Sequence, residues 1–512
     1  MNSRRKFIKY MSALGTVSLI PTTLISCSDN RPGNEVKAMS NTNFVREIPL
    51  MEEYDVIVCG GGPSGTVAAL AAKREGLKVL LVEGLGQLGG MATSGHVSHW
   101  LGGRTQEGEW VVQGLFKTIA EEAAKKGYAV IPSLSPNKDY HPYGWYNWFI
   151  HGIPLDPFSI DYFLDEKMGE AGVDVLLFTY FVDTVVEGDR ITQVILYNRS
   201  GLFAVPTKAV IDATGNAEVA YRSNCETMKG RKEDGKMTPT SLVFHAYNVN
   251  EQELTQAIEK NRDPKFRDLI RQLREIGEWT FPYDIFICTR LPAKGEFYIN
   301  TCRLVGIDGT DGRSVSEGMK RGREETHQLM SLFQKYFPGF KNARIKSVAS
   351  QLGVRETRRI IGDYVMTVED LKNDKVFDDC IGFSMYGWDL PDPNKPSVQP
   401  FADDEKTGFK QTVQKGLTTP LPFRIMIPKT IKNLICPGRA VSVEGQVLGP
   451  VRVMAPCMAM GEAAGIATKQ VVMGNASFTN IDIEGLRARL KEAGAIIDRE
   501  QLPVIYPRVD QI

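Results

Sequence analysis

The sequence predicts an α/β fold: a discontinuous parallel sheet flanked by helices, with an α+β domain inserted into it. Three observations predict it. Residues 54–59 read as a short buried strand that runs into Gly60-Gly61-Gly62-Pro63-Ser64-Gly65 and then into an alanine-rich helix. Val210-Ile211-Asp212-Ala213-Thr214-Gly215 is a second buried strand that ends in a turn of small residues. Residues 433–439 return as a third strand, followed by an alanine- and methionine-rich helix over 455–473.

The first of these units extends further. Its helix, residues 66–75, is stopped by Gly76, and a strand over 77–82 ends in Glu83, 23 residues after Gly60. Strand, GxGxxG, helix, strand and acid in that order form a dinucleotide-binding unit. Gly60 permits the tight turn, Gly62 lets the backbone reach a pyrophosphate, and Gly65 lets helix and strand pack closely. Pro63 and Ser64 open the helix, whose N-terminus faces the phosphate charge. Glu83, with Gly84 behind it, would accept hydrogen bonds from the ribose hydroxyls.

Gln87-Leu88-Gly89-Gly90-Met91-Ala92-Thr93 follows at once and resembles the Gly-Gly element of the glutathione-reductase-like flavoproteins. In those families Gly89, Gly90 and Met91 would lie beside the FAD diphosphate. Ala213, Thr214 and Gly215 resemble their second flavin signature, and a strand over 178–186, with Val182 on it, would pass the adenine. Gly438 and Arg439 close the return strand, and the resemblance points the start of the following helix at the flavin N1 and C2 carbonyl. A helix start stabilises the anionic charge of a reduced flavin there. Residues 52–475 thus resemble the FAD-dependent oxidoreductases, and the blocks 351–362 and 442–465 look like that family's own stretches. The resemblance implies FAD and a discontinuous glutathione-reductase-like Rossmann FAD-binding domain. It does not imply a substrate. Family members tend to carry a histidine where this chain has Pro391.

The expected domains are an FAD-binding part over 52–225 and 430–475, an α+β substrate or cap domain over 226–429, and a C-terminal extension over 476–512. Within the cap, strands are expected over 241–249 and 296–305 and helices over 250–276 and 314–336.

A flavin dehydrogenase holds a hydride donor over the ring and commonly needs a base. His96 and His99 follow the Gly-Gly element and are the first candidates; they would share one face if that loop were helical, and the alternative is histidines bonded to backbone. His245 lies in a cap strand. Arg355 and Arg452 are candidates for contact with flavin or a substrate carboxylate, whereas Arg358 and Arg359 beside Glu356 read as an internal network. The aromatic run 140–149, bracketed by His141 and His151, suits either a flat substrate face or a local core.

Absences narrow the chemistry. No pair of cysteines has CxxC spacing, so a metal site is not expected. No C-x4-C follows the glycine pair and no second dinucleotide unit appears, so disulfide relay and NAD(P)H are disfavoured. Electrons would come from a small-molecule substrate and leave to a quinone, a redox carrier or oxygen. The 61 basic and 61 acidic residues cancel, which gives no pull toward nucleic acid.

Residues 1–27 read as an address. Ser3-Arg4-Arg5-Lys6-Phe7-Ile8-Lys9 and the apolar stretch behind it resemble a twin-arginine signal, and Leu24-Ile25-Ser26-Cys27 resembles a lipobox. That implies the twin-arginine export machinery as a partner, a periplasmic location and lipidation of Cys27, against simple cleavage of the signal. Residues 28–51 read as a flexible tether. The leading expectation is a periplasmic dehydrogenase passing hydride from a small polar, hydroxyl-bearing substrate, possibly a sugar, to FAD. The alternatives are a fumarate-reductase-like reductase of an activated double bond and a non-enzymatic flavin lipoprotein.

Overall fold

A computed structural model describes residues 44–105, 107–132, 152–394, 403–404, 409–410, 418–474 and 476–503. The export signal, Cys27, most of the tether, the aromatic run 140–149 and His151 lie outside the described residues.

The main sheet is built from β1 (Tyr54–Cys59), followed by helix α1 (Pro63–Arg74), and β2 (Val79–Val82). Helix α2 (Pro157–Ala171) then leads into β3 (Asp174–Leu176). Next come β4 (Tyr180–Glu187), β5 (Arg190–Asn198), β6 (Gly201–Asp212) and, far along the chain, β7 (Leu434–Ile435). In space β3, β2, β1, β6 and β7 run parallel in that order. The first half of β6 turns away to pair antiparallel with β5, which pairs with β4.

The strand β1 is central, and its side chains alternate between two cores. Val56 and Val58 join the side packed by α1 and the long helix α3 (Met454–Gly474). Tyr54, Ile57 and Cys59 join the opposite side with Ile191, Val194 and Leu196 of β5. Both faces are therefore covered, as a parallel sheet requires. The parallel Rossmann-type sheet expected from the sequence is present, and the helix expected over 455–473 is α3.

The inserted segment carries a four-stranded antiparallel sheet in the order Cys288–Arg290, Phe297–Ile299, Phe244–Tyr247, Arg344–Val348. The long helix Gly312–Tyr336 contributes to the same core, where Phe266, Phe286, Phe333, Phe337 and Phe340 stack edge to face. The single helix expected over 250–276 is two, Glu251–Asn261 and Arg267–Glu275. Pro264 has no amide to continue the first, and Phe266 adopts a left-handed φ of 51° before the second. Two bodies of packing share the segment 226–429: residues 242 to 354 close the cap core, whereas Met366, Phe383, Trp388 and Phe423 belong to the main core. The seven described cysteines are buried, and none is in a disulfide. No described helix is long and apolar enough to cross a membrane.

Candidate functional site

The glycine turn between β1 and α1 is locked by its neighbours. Gly60 has a φ of 103°, and its amide donates to the Val82 carbonyl at 2.8 Å. A Cβ at Gly65 would lie 1.8 Å from the Gly60 carbonyl oxygen. Pro63 occupies the first turn of α1, where its missing amide costs nothing, and Ser64 is buried behind it. The contrast is Gly62: a Cβ there would meet no protein atom within 4 Å, so its backbone faces open space at the start of α1. Gly90 stands directly over it, with a φ of 54° and a would-be Cβ 2.9 Å from the Gly62 Cα. Gly89 donates to the Gly61 carbonyl at 2.8 Å. Met91 fills the space beside Gly95 and Gly353.

Glu83 ends β2 and is held by backbone. Its two carboxylate oxygens accept the Gly61 amide at 2.7 Å and the Leu85 amide at 2.8 Å. Burial raises its pKa, and those amides pull it back down. Each oxygen keeps a lone pair for a further donor. Gly84 makes room for the Tyr180 ring, and Val182 lies two residues along β4 from it, partly exposed. Ala213 donates to the Cys59 carbonyl at 2.8 Å, which brings the second turn against the first. Asp212 is fully buried and anchors that turn by accepting from the Thr214 hydroxyl (2.6 Å) and the Ala220 amide (3.0 Å). Gly438, at a φ of 99°, sits against Ser64, and Arg439 lies over Gly215. The Arg439 fork donates to the Asn216 side chain at 2.6 Å and to the Thr357 hydroxyl at 3.0 Å. Residues 60–65, 83–84, 89–91, 213–215 and 438–439 thus converge on one cradle with an open backbone at Gly62. They fit an extended dinucleotide with its phosphates at a helix start.

Beyond the cradle the chain turns sharply, and the loop carrying the first histidines is not helical. His96 has a φ of 54°, and His99 sits in a two-residue strand against Ile153–Pro154, so the two do not share a helical face. The His96 Nδ1 lies 2.8 Å from the Thr93 carbonyl and so donates to it; its Nε2 then accepts from Ser347 at 3.0 Å. His245 stacks on His96 with ring centroids 4.5 Å apart, its Nε2 3.2 Å from the His96 carbonyl and 3.1 Å from Ser98. Burial pushes the pKa of both below the usual histidine value, His245 furthest. The pair ties the flavin-side loop to the cap sheet as neutral rings. Fully buried His99 meets the ring of Tyr298 edge-on at 6.5 Å.

The charged side chains beyond that point gather. Arg452 precedes α3 and donates to the Asp389 carbonyl at 2.6 Å, while the Tyr386 hydroxyl donates to the Asp389 carboxylate at 2.9 Å. Arg355 donates to the Pro239 carbonyl at 2.6 Å. Burial, and then the charges of Arg303 and Arg452, bring its pKa down to about 9. Burial opposes the ionisation of Asp389, but Arg452, Arg303 and Arg355 together hold its carboxyl below the ordinary range. Arg303, Tyr298 and Asp389 were not singled out by sequence. Arg303 is the one charge in the run 297–305, and that is the available signal. Arg358 and Arg359 sit apart from this group: Arg359 bonds Glu356 at 2.5 Å, and Arg358 lies over the Tyr221 ring and reaches Glu218.

Comparison with known proteins gives partial matches and one family match. Over 180 residues the chain is 27% identical to digeranylgeranylglycerophospholipid reductase 1 of Methanococcoides burtonii, which covers 32% of this chain and 38% of that protein. It is 29% identical over 197 residues to thiamine thiazole synthase of Aeropyrum pernix, 36% of this chain and 62% of that one. The chain therefore spans less than two thirds of the length of these relatives. Among solved structures it is similar to a geranylgeranyl bacteriochlorophyll reductase-like protein of Thermoplasma acidophilum, with 15% identity, a TM-score of 0.42 and coverage of 86% and 84% of the two chains. The family model described as FAD dependent oxidoreductase matches residues 55–490. With that match running from β1 past the end of α3, the chain belongs to the FAD-dependent oxidoreductase family, and FAD is its cofactor.

Proposed function

We propose that this enzyme oxidises a small polar, hydroxyl-bearing substrate, sugars included, by hydride transfer to FAD. The observation that carries the reading is the cradle at residues 60–65, with Gly353 of the inserted segment against Met91 and Arg452 just before α3. Bound FAD supplies the two-electron acceptor. The chain's own residues orient and exclude: the Gly62 turn and α1 would hold the phosphates, Glu83 the ribose, and the His96–His245 pair would keep cap and flavin domain in register. With no second dinucleotide motif in the sequence, electrons leave to a quinone, a redox carrier or oxygen. The meander β4–β6 beside a parallel sheet supports a glutathione-reductase-like subtype.

The signal at residues 3–9 supports twin-arginine export of the folded, FAD-loaded protein to the periplasm, with Cys27 as its lipid anchor. Anaerobic mixing with a panel of alcohols and sugars tests the reaction: bleaching of the flavin's visible band is expected, and indifference to the whole panel counts against it. Replacing Arg4 and Arg5 by Lys should leave yellow protein in the cytoplasm. A second reading, reduction of an activated double bond, is favoured by the arginine group beside Asp389. Reoxidation of the reduced protein by an unsaturated acid would select it.

A further inference from the structure

Arginine burial follows a rule in most of this chain. Arg359 is paired with Glu356 at 2.5 Å, Arg290 with Glu251 at 2.9 Å, and Arg104 donates to the carbonyls of Gly108 and Pro132 at 2.9 and 2.7 Å. Arg303 breaks it. The residue is 5% exposed, and its Nε has no partner among the described residues. The Arg452 Nε is also without one, although that residue pairs with Asp389 at 3.5 Å, and Arg355, like Arg104, donates to backbone carbonyl. Among the described residues one carboxylate, Asp389, interacts with all three guanidinium groups. Three guanidinium groups against one described carboxylate leave the cluster with an excess of positive charge, which is unfavourable where water is excluded.

Its position gives that excess a purpose. Arg303 and Tyr298 come from the cap. Arg355 comes from the segment whose Gln351 amide bonds the Ser94 carbonyl, and Arg452 comes from the approach to α3. Tyr298 touches His99, downstream of the Gly-Gly element. The cluster therefore sits where the flavin-side loop, the cap and the start of α3 meet. Arg355 and Arg452 are each pinned through one terminal nitrogen, Nη1 on Pro239 and Nη2 on Asp389, which fixes the plane of each fork. Fixed planar forks match the two coplanar oxygens of a carboxylate.

We propose that Arg303, Arg355 and Arg452 form a recess for a carboxylate of the substrate, with Asp389 and Tyr386 positioning the Arg452 fork. The inference deepens the proposed oxidoreductase by assigning its substrate class, an organic acid, and rests on that reading. A phosphate or sulfate group would meet the same forks, and FAD's own phosphates are a second source of anion.

The experiment uses yellow holoprotein and follows its thermal midpoint. Millimolar acetate, succinate, sulfate, phosphate or neutral succinamide is added over a constant chloride background, at concentrations where general salt effects are small. Acetate or succinate is expected to raise the midpoint by several degrees, sulfate and phosphate by less, and succinamide not at all. Arg303→Gln should lose the carboxylate-dependent rise while melting in chloride at the same temperature or higher, because an uncompensated buried charge has gone. Arg303→Lys, which keeps the charge and loses the fork, should bind succinate at least about tenfold more weakly, and it serves if the glutamine variant does not fold. The proposal is overturned if carboxylates act no better than chloride, if sulfate or phosphate protects more than carboxylate, or if only FAD-free protein responds. It is equally overturned if Arg303→Gln is destabilised with the rise intact. Colourless wild-type protein would condemn the flavin reading instead, so the two failures are separable.

Discussion

A Cβ added at Gly65 would lie 1.8 Å from the Gly60 carbonyl oxygen, whereas one added at Gly62 would meet no protein atom within 4 Å. The two substitutions should therefore fail differently. Gly65→Ala forces β1 and α1 apart and is expected to cost several kcal/mol in a melt. Gly62→Ala should fold, melt where FAD-stripped wild type melts, and lose most of its FAD, read as the ratio of flavin to protein absorbance. A second residue carries a pH signature. Burial lifts the Glu462 carboxyl to about 7, although its Oε2 accepts the Leu115 amide at 3.0 Å. Its folded pKa lies above its unfolded one, so its contribution is fully present below the ordinary carboxylate range and is lost as pH rises through about 7. Glu462→Gln should match wild type near pH 4 and exceed it by about 1–3 kcal/mol near pH 8. These glycines could be read from sequence because a phosphate turn is local: six consecutive residues contain the whole constraint. Arg303 could not be, because its neighbours at 355, 389 and 452 meet it only after the cap has docked.

At the scale of elements, α1 and α3 approach so closely that glycine is required between them. A Cβ at Gly461 would lie 2.2 Å from the Ser64 carbonyl oxygen, and one at Gly465 would lie 2.4 Å from that of Ala68, one turn further on. Gly461→Ala or Gly465→Ala should cost about 1–3 kcal/mol by overpacking and also loosen FAD, because the displaced helix begins at the phosphate turn. Gly474→Ala is the control. Its Cβ would meet only Ala476, at 3.9 Å, and should be neutral or stabilising by up to about 1 kcal/mol. The small-residue spacing was visible in the sequence, but its partner helix, some 400 residues earlier, was not. The opposite lesson comes from residues 250–276, where hydrophobic spacing suggested one helix although Asp263-Pro264 marks the break within it.

Across the whole molecule, the FAD cradle draws on segments from residue 60 to residue 439, so bound cofactor would tie distant parts of the chain together. Stripping FAD should lower the thermal midpoint by several degrees. Adding it back should raise the midpoint with the logarithm of concentration, about 2.7 kcal/mol at a hundredfold excess over Kd. A midpoint indifferent to FAD would contradict this coupling. That a long insertion separates the flavin-like signatures was legible in the sequence. The division of that insertion between two cores was not, since apolar residues at 242–354 and 366–427 look alike until packed. The buried cysteines carry one more consequence. Among the described residues no thiol is exposed and none is cross-linked, so the described fold draws no stability from a disulfide. The same thiols are a built-in clock of breathing: under an alkylating reagent, Cys288 and Cys302 report the cap opening, while Cys59 and Cys436 report the sheet.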